Sequence, residues 1–266
     1  MKTNWVREKL RTGQPSLGSF LGLGSPNVAE LLAHAGFDWL VIETEHSALD
    51  SAEIENMLMG MNGTETIPLV RLPTGDPVYI QRALDFGAMG IVVPMVKTAE
   101  QVQAIVRATR YPPTGTRGYN PLRASHYLFD SKDYFYRAND NLLVVLILET
   151  KEAVNNLEAI AAVPGLDVLY LGPFDLCLSL GLDPMQQPHS QVETVIEQVL
   201  SIGRNNGVAI GTHVMTPDQL RRRQDQGFTM LSYSTDYVML AEAARVGLAA
   251  FRREPLSGKG QPQDAK

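Results

Sequence analysis

Charged residues stand where apolar runs of strand type end. Glu43, Glu45 and His46 close Trp39-Leu40-Val41-Ile42, and Arg71 closes Ile67-Pro68-Leu69-Val70. Glu149 closes the run 142–148, and Asp175 follows Val168-Leu169-Tyr170-Leu171-Gly172-Pro173. Where strands alternate with helices, the carboxyl ends of the strands share one face, so residues far apart in the chain meet in one pocket. A carboxylate ending an apolar strand is costly to bury alone. A divalent cation between Glu149 and Asp175 removes that cost; the bland alternative pairs each acid with a basic neighbour in the barrel. Ligation by oxygen alone suits Mg²⁺ or Mn²⁺, with Co²⁺ or Zn²⁺ as substitutes, and leaves positions for water and substrate. Arg71 offers a planar fork to a carboxylate, or a salt bridge to Glu43 or Glu45. His46 is suited to proton transfer near neutral pH. Asp85 is a candidate to fix its tautomer, or else a solvated acid at a helix end. Together these residues read as a metal site that handles a carboxylate substrate.

Other reactive residues are weaker candidates. His213 follows the predicted strand 208–211 and is placed to line the pocket, whereas His34 and His189 read as structural or exposed. Lys97, just beyond 90–95, is the one serious candidate for a Schiff base, which needs a desolvated amine; the acid pair favours metal chemistry instead. Cys177 is the only cysteine. That excludes an intrachain disulfide and a cysteine metal cluster, and a small buried residue is the simpler reading of it.

The elements that must position these residues follow from periodicity. Strands are expected at 16–21, 39–43, 67–71, 90–95, 142–149, 166–171, 208–211 and 230–233. Helices are expected at 27–35, 51–61, 77–86, 99–109, 151–161, 192–205, 217–226 and 237–251, with a short one after the sixth strand. Gly36, Gly87 and Gly227 each stand at a helix end before the next strand. Eight strand–helix units point to a (β/α)₈ TIM barrel in a single domain, 1–256. An open doubly wound sheet is the runner-up, but Gly22-Leu23-Gly24 lacks the rest of a dinucleotide loop. The stretch 111–141 has no clean period, and a lid or a contact with a neighbouring subunit is its expected role.

Composition sets the outer bounds. The chain has 266 residues, 44% of them hydrophobic, enough for one large core. A formal net charge of −6 argues against nucleic acid or anionic membrane as the main partner. No signal-like N-terminus and no membrane-length apolar run occur, so a cytoplasmic protein is expected. Residues 257–266, rich in Gly, Pro, Gln and charge, read as a disordered tail.

Several segments jointly resemble the HpcH/HpaI aldolases. They are Phe37-Asp38-Trp39-Leu40-Val41-Ile42-Glu43-Thr44-Glu45-His46, Pro68-Leu69-Val70-Arg71, Leu84-Asp85-Phe86-Gly87-Ala88, Val93-Pro94-Met95-Val96 with Thr98-Ala99-Glu100, Arg110-Tyr111-Pro112-Pro113 and Gly172-Pro173-Phe174-Asp175-Leu176. They span nearly the whole chain in the family's order. The resemblance implies a metal-dependent aldolase that cleaves a 4-hydroxy-2-oxo acid to pyruvate and an aldehyde. It implies that Glu149 and Asp175 bind the metal and that pyruvate chelates it. Arg71 would hold the pyruvate oxygens, and His46, oriented by Asp85, would move the proton. Gly172, Pro173 and Phe174 would contribute the substrate-binding turn, where backbone amides receive the carboxylate, and Arg117 the family's loop arginine.

The resemblance also implies a homo-oligomer, a hexamer or trimer, with the C-terminal helix exchanged between subunits; packing of that helix on its own barrel is the alternative. Glu43-Thr44-Glu45-His46 stands where many relatives have Asp-Gly-Glu-His, and Asn120 where Gly is common, two departures that bear on the aldehyde. The same metal site would serve an oxaloacetate decarboxylase or a citrate-synthase-like condensing enzyme, and a non-catalytic ligand-binding barrel is the remote alternative.

Overall fold

Leu143–Leu148 (LVVLIL) has no polar residue on either face, so as a strand it is stable only when covered on both sides. Eight such runs pair in parallel, in chain order, into a closed barrel. The strands are β1 (Ser16–Leu21), β2 (Trp39–Glu43), β3 (Ile67–Arg71), β4 (Gly90–Val93), β5 (Leu143–Leu148), β6 (Val168–Leu171), β7 (Ala209–Val214) and β8 (Met230–Thr235). The structure is a computed structural model and describes residues 1–253 and Pro255. The expected tail, 257–266, and the last residue of the expected domain lie outside the described residues. The (β/α)₈ expectation holds.

The helices are α1 (Trp5–Arg11), α2 (Pro26–His34), α3 (Ser51–Gly60), α4 (Pro77–Asp85), α5 (Ala99–Thr109), α6 (Ser131–Asn141), α7 (Lys151–Asn155), α8 (Leu157–Ala161), α9 (Pro173–Ser179), α10 (Ser190–Asn206), α11 (Pro217–Gln226) and α12 (Asp236–Arg252). Their starts are sharp because the sequence supplies caps. Asp50 and Glu53 form a capping box, as do Thr98 and Gln101, and Asp76 accepts from Val78 N–H at 2.7 Å with Pro77 in the first turn. Gly87, at φ +107°, ends α4 in the left-handed region that disfavours other residues. The single helix expected at 151–161 is instead two. Asn156 interrupts it and donates from Nδ2 to the Lys97 carbonyl at 2.9 Å.

Two shells of core hold the barrel. Trp39, Val41, Ile67, Leu69, Val145 and Val168 fill the interior, while Leu40, Ile42, Val70, Ile91, Val144 and Leu169 face the helices. The alternation along each strand is the period-two pattern of a pleated strand. Helix α1 was not foreseen. Its Val6 and Leu10 join the interior core at the amino-terminal end of the strands, and Arg7 Nε pairs with Asp167 Oδ1 at 2.8 Å. A seven-residue helix carries too short a pattern to read from sequence.

The segment 111–141 stays at that same bottom end within the chain, and no lid forms over the mouth. Asn139 Oδ1 accepts from Tyr111 N–H at 2.7 Å, and Asn141 Nδ2 donates to the Lys2 carbonyl at 2.6 Å. Arg123 donates to the Phe86 carbonyl. Tyr111, Tyr134 and Ala138 form a small core of their own. Among the described residues no helix is long and apolar enough to cross a membrane.

Gly18 of β1 stands in register with Trp39 of β2, and a Cβ there would lie 2.1 Å from the indole ring. The barrel interior closes around that ring, which is fully buried. Gly18→Ala is therefore expected to destabilise the protein by about 1–3 kcal/mol and lower Tm by several degrees in a thermal melt; an unchanged Tm would contradict this packing.

Candidate active site

At the mouth of the barrel β2 and β3 end in register, placing Glu43 beside Arg71. Arg71 Nη1 meets Glu43 Oε2 at 3.0 Å, and Nη2 contacts the Glu45 carboxylate. The other Glu43 oxygen accepts from the N–H groups of Glu45, at 2.7 Å, and His46, at 3.2 Å. One carboxylate thus folds the turn after β2 and pins the guanidinium. Both salt bridges weighed for Arg71 exist together, and Arg71 remains on the cavity wall. Burial pushes the Glu45 carboxyl up, while Arg71 and His46 pull it back. His46 Nε2 lies 3.4 Å from Glu45 Oε2, and its side chain is 65% exposed, open to an incoming molecule.

Glu149 follows β5 and is only 2% exposed. Its Oε1 accepts from Met95 N–H at 2.7 Å. Met95, just after β4, holds φ at +55°, a region that costs a non-glycine residue about 1 kcal/mol or more; this is the turn that aims the N–H. Burial pushes the Glu149 carboxyl up to about 7, opposed by the Met95 N–H and Arg71, with Asp175 and Glu45 adding to the rise. Gly172 follows β6. A Cβ there would stand 3.1 Å from Glu149 Oε2, so the missing side chain keeps that oxygen clear. Asp175 lies in the first turn of α9 and is exposed.

These residues enclose a cavity of about 370 Å³. Glu43, His46, Arg71, Glu149 and Asp175 line it together with Gly172, Pro173 and Phe174 at the head of α9. A second cavity, about 490 Å³, is lined by residues such as Met61, Met89 and Arg123 and by no carboxylate. The donor set at the mouth fits a hard divalent cation. Among the described residues neither Glu149 nor Asp175 has an ion-pair partner, because Arg71 is taken by Glu43 and Glu45. No three of His, Cys, Asp and Glu converge to hold a metal by themselves among the described residues. Two carboxylates with the rest supplied by water and substrate is the pattern of a Mg²⁺ or Mn²⁺ site.

Asp85 and Arg117 are elsewhere within the chain. Asp85 closes α4, which runs back from the mouth, so it lies at the bottom of the barrel and not beside His46. It pairs with Arg117 Nη2 at 2.6 Å. Arg117 is 4% exposed, with its guanidinium carbon 4.7 Å from the Tyr111 ring centre and 5.5 Å from that of Tyr134. A buried guanidinium needs such partners, so here the pair anchors the 111–141 segment. In the same chain the carboxylate beside His46 is Glu45. Lys97 Nζ stands 3.7 Å from Glu152 and is 40% exposed, hydrated where a Schiff-base lysine is desolvated. Cys177 is buried in α9 and burial pushes its thiol up, away from reactivity.

The inner wall adds two residues that strand position alone did not single out, Phe20 and Tyr170. They line it with His213, the Phe20 ring centre 6.1 Å from that of Tyr170 and 6.2 Å from that of His213. His213 was read as a pocket residue and is one. Its Nδ1 lies 2.7 Å from Ser232 Oγ, which also meets the Tyr170 hydroxyl, and its Nε2 lies 3.0 Å from Met215 Sδ. Burial pushes the imidazole down to about 4. Asp236, at the start of α12, accepts from Gly22 N–H at 2.9 Å and Leu23 N–H at 3.0 Å. It thereby ties the loop after β1 to Tyr237, another lining residue.

The Glu149 shift gives a signed pH dependence. Its carboxyl is raised from 4.5 to about 7, so the metal-free folded state holds a proton that the unfolded chain releases. Stability therefore falls as pH rises between those values, by on the order of 3 kcal/mol. Metal-free Glu149→Gln is expected to melt above the wild type at pH 8, with the gap closing by pH 5. A gap that does not vary with pH would count against this burial.

The sequence-family model for HpcH/HpaI aldolase/citrate lyase matches residues 16–243. A hydroxypyruvate/pyruvate aldolase of Roseovarius nubinhibens is 38% identical over 254 residues, 95% of this chain and 98% of the relative. A 4-hydroxy-2-oxo-heptane-1,7-dioate aldolase of Escherichia coli is 36% identical over 249 residues, 93% of this chain and 95% of the relative. The crystal structure of an HpcH/HpaI aldolase/citrate lyase family protein from Burkholderia cenocepacia superposes with a TM-score of 0.89 at 36% identity, covering 94% of this chain and all of that one. With the matched model running from β1 into α12, the chain belongs to the HpcH/HpaI aldolase/citrate lyase family.

Proposed function

We propose that the protein is a carbon–carbon lyase, a metal-dependent aldolase that reversibly cleaves a 4-hydroxy-2-oxo acid to pyruvate and an aldehyde. The observation that carries this reading is the buried Glu149 carboxylate, which shares a cavity with Asp175 and lies across it from a guanidinium held by two acids. The names of the 36–38% identical relatives support it. Glu149 and Asp175 hold the cation, Mg²⁺ or Mn²⁺, which when bound supplies Lewis-acid polarisation of the 2-oxo group. Arg71 stabilises the charge that develops on the 2-oxo oxygen as the C3–C4 bond breaks. Its clamp by Glu43 and Glu45 fixes it there before reaction, so little reorganisation is needed. His46 takes the proton from the C4 hydroxyl, with Glu45 beside it to favour the imidazolium that forms.

Gly172 gives α9 no side-chain cap, which leaves the first-turn N–H groups of Phe174 and Asp175 for the substrate carboxylate. Asp85 and Arg117 can reach an active site only across a subunit contact, because in their own chain they lie at the opposite end of the barrel.

Helix α12 supports a homo-oligomer. Asp236 is its single buried residue, while Leu240, Val246, Leu248 and Phe251 are 63%, 53%, 50% and 87% exposed. The start of the helix packs on its own barrel through Met239, and the apolar residues further along it stay open. Its apolar face is covered, on this reading, by another subunit of a trimer or hexamer. The setting is cytoplasmic, in keeping with a single thiol and a negative net charge.

Protein stripped of metal is expected to regain pyruvate release from 4-hydroxy-2-oxo acids on addition of Mg²⁺ or Mn²⁺. Glu149→Gln and Asp175→Asn should abolish that recovery. Cleavage that survives chelation and is trapped by borohydride would sink the mechanism. Arg71→Lys, which loses the fork, should lower kcat about 10²–10³-fold in the same assay. Light scattering of the eluting protein should show a trimer or hexamer that Leu240→Glu with Phe251→Glu dissociates; a monomeric wild type would refute the assembly.

A further inference from the structure

His213, Ser232 and Tyr170 form a hydrogen-bond chain whose direction can be assigned. The Tyr170 hydroxyl meets Ser232 Oγ, and Ser232 Oγ lies 2.7 Å from His213 Nδ1. The remaining imidazole nitrogen, Nε2, faces the Met215 thioether at 3.0 Å. Sulfur of a thioether accepts but cannot donate. Nε2 therefore carries the proton, Nδ1 accepts from Ser232, and Ser232 accepts from Tyr170, so that every donor in the chain has an acceptor. The opposite direction would leave the buried Tyr170 proton unbonded and set a lone pair of Nε2 against sulfur, which costs more. Burial keeps the ring neutral, consistent with this tautomer.

Around His213 the wall offers the cavity mostly apolar surface, with the Thr235 hydroxyl at its β8 edge. Phe20 and Ile147 have no polar group, and the Tyr170 hydroxyl is spent on Ser232. Ser232 itself is fully buried. The Nε2–H, held only by a weak thioether acceptor, is the donor on the β7 side of this wall and is available to a stronger acceptor such as a hydroxyl oxygen. On the aldolase reading above, on which this inference rests, the carboxylate and 2-oxo oxygens are held from β3, β5 and the head of α9. The next carbon, C3, then faces the wall formed by Phe20, Ile147, Tyr170 and His213.

We propose that His213 is a specificity residue whose Nε2–H donates to a hydroxyl on C3 of the 2-oxo acid, so that the site favours a 3-hydroxy-2-oxo acid over pyruvate as the nucleophile. A bare C3 methyl would sit against the same wall with the thioether contact kept. A C3 hydroxyl without the donor would be buried unpaired, at a cost in binding.

The test compares kcat/KM for hydroxypyruvate and for pyruvate, each adding to D-glyceraldehyde with the Mg²⁺-loaded full chain. Both nucleophiles are read on one preparation, so partial unfolding cancels in the ratio. The wild type is expected to favour hydroxypyruvate. His213→Leu should lower the hydroxypyruvate-to-pyruvate ratio about tenfold, and Ser232→Ala, which frees the tautomer, should lower it in the same direction. His213→Gln, which returns an amide N–H, should hold the ratio within about threefold of wild type. An unchanged ratio in His213→Leu, or a fall in His213→Gln as large as in Leu, would overturn the assignment while leaving the aldolase reading intact. No turnover of either nucleophile by the wild type would instead overturn the aldolase reading, and this assignment with it.

Discussion

A carboxylate held in a barrel mouth with a single N–H partner is the constraint on which the rest of this site depends. Glu149 is almost fully buried, receives one hydrogen bond from Met95 and, among the described residues, has no ion-pair partner. Uncompensated, it is driven towards protonation. The surroundings maintain that condition. Gly172 keeps Oε2 clear of side chain, the strained Met95 turn orients the other oxygen, and the nearest guanidinium is diverted to Glu43 and Glu45. The acid is left without an ion-pair partner among the described residues, which is the state a divalent ion needs.

The clamp on Arg71 has a second consequence. Two acids stand around one arginine; burial raises the Glu45 carboxyl, Arg71 and His46 oppose the rise, and Glu43 adds to it. His46 stands at the outer edge of that cluster, its Nε2 3.4 Å from Glu45 Oε2. The departure from the common Asp-Gly-Glu-His pattern is absorbed here: the longer Glu43 reaches both the turn amides and the guanidinium.

The two ends of the barrel divide labour. The bottom is closed by α1 and by the 111–141 segment, with Arg117 buried between Tyr111 and Tyr134 and tied to Asp85. The top carries the acids, the free donors and the loop that Asp236 fastens to α12. Helix α12 is exposed along its apolar face yet anchored at the cavity rim through Asp236 and Tyr237.

Much of this was legible in the chain itself. Period-two and helical patterns, with Gly36, Gly87 and Gly227 as helix stops, determined eight strand–helix units, since both signals arise from neighbours in sequence. The same reasoning placed Glu43, His46, Arg71, Glu149 and Asp175 at strand ends, and parallel topology then required them to meet. Tertiary structure alone decided who pairs with whom. Asp85 looked available to His46, yet α4 carries it back to the other end of the barrel, where Arg117 claims it. The 111–141 segment looked like a lid but stays beneath the barrel, and Asn156 splits a helix to reach the Lys97 carbonyl. The tautomer of His213 rests on Ser232 and Met215, one on the next strand and one just past its own. Sequence periodicity records which face of an element is buried, but the partner of a charged or polar group depends on distances set only when the barrel closes.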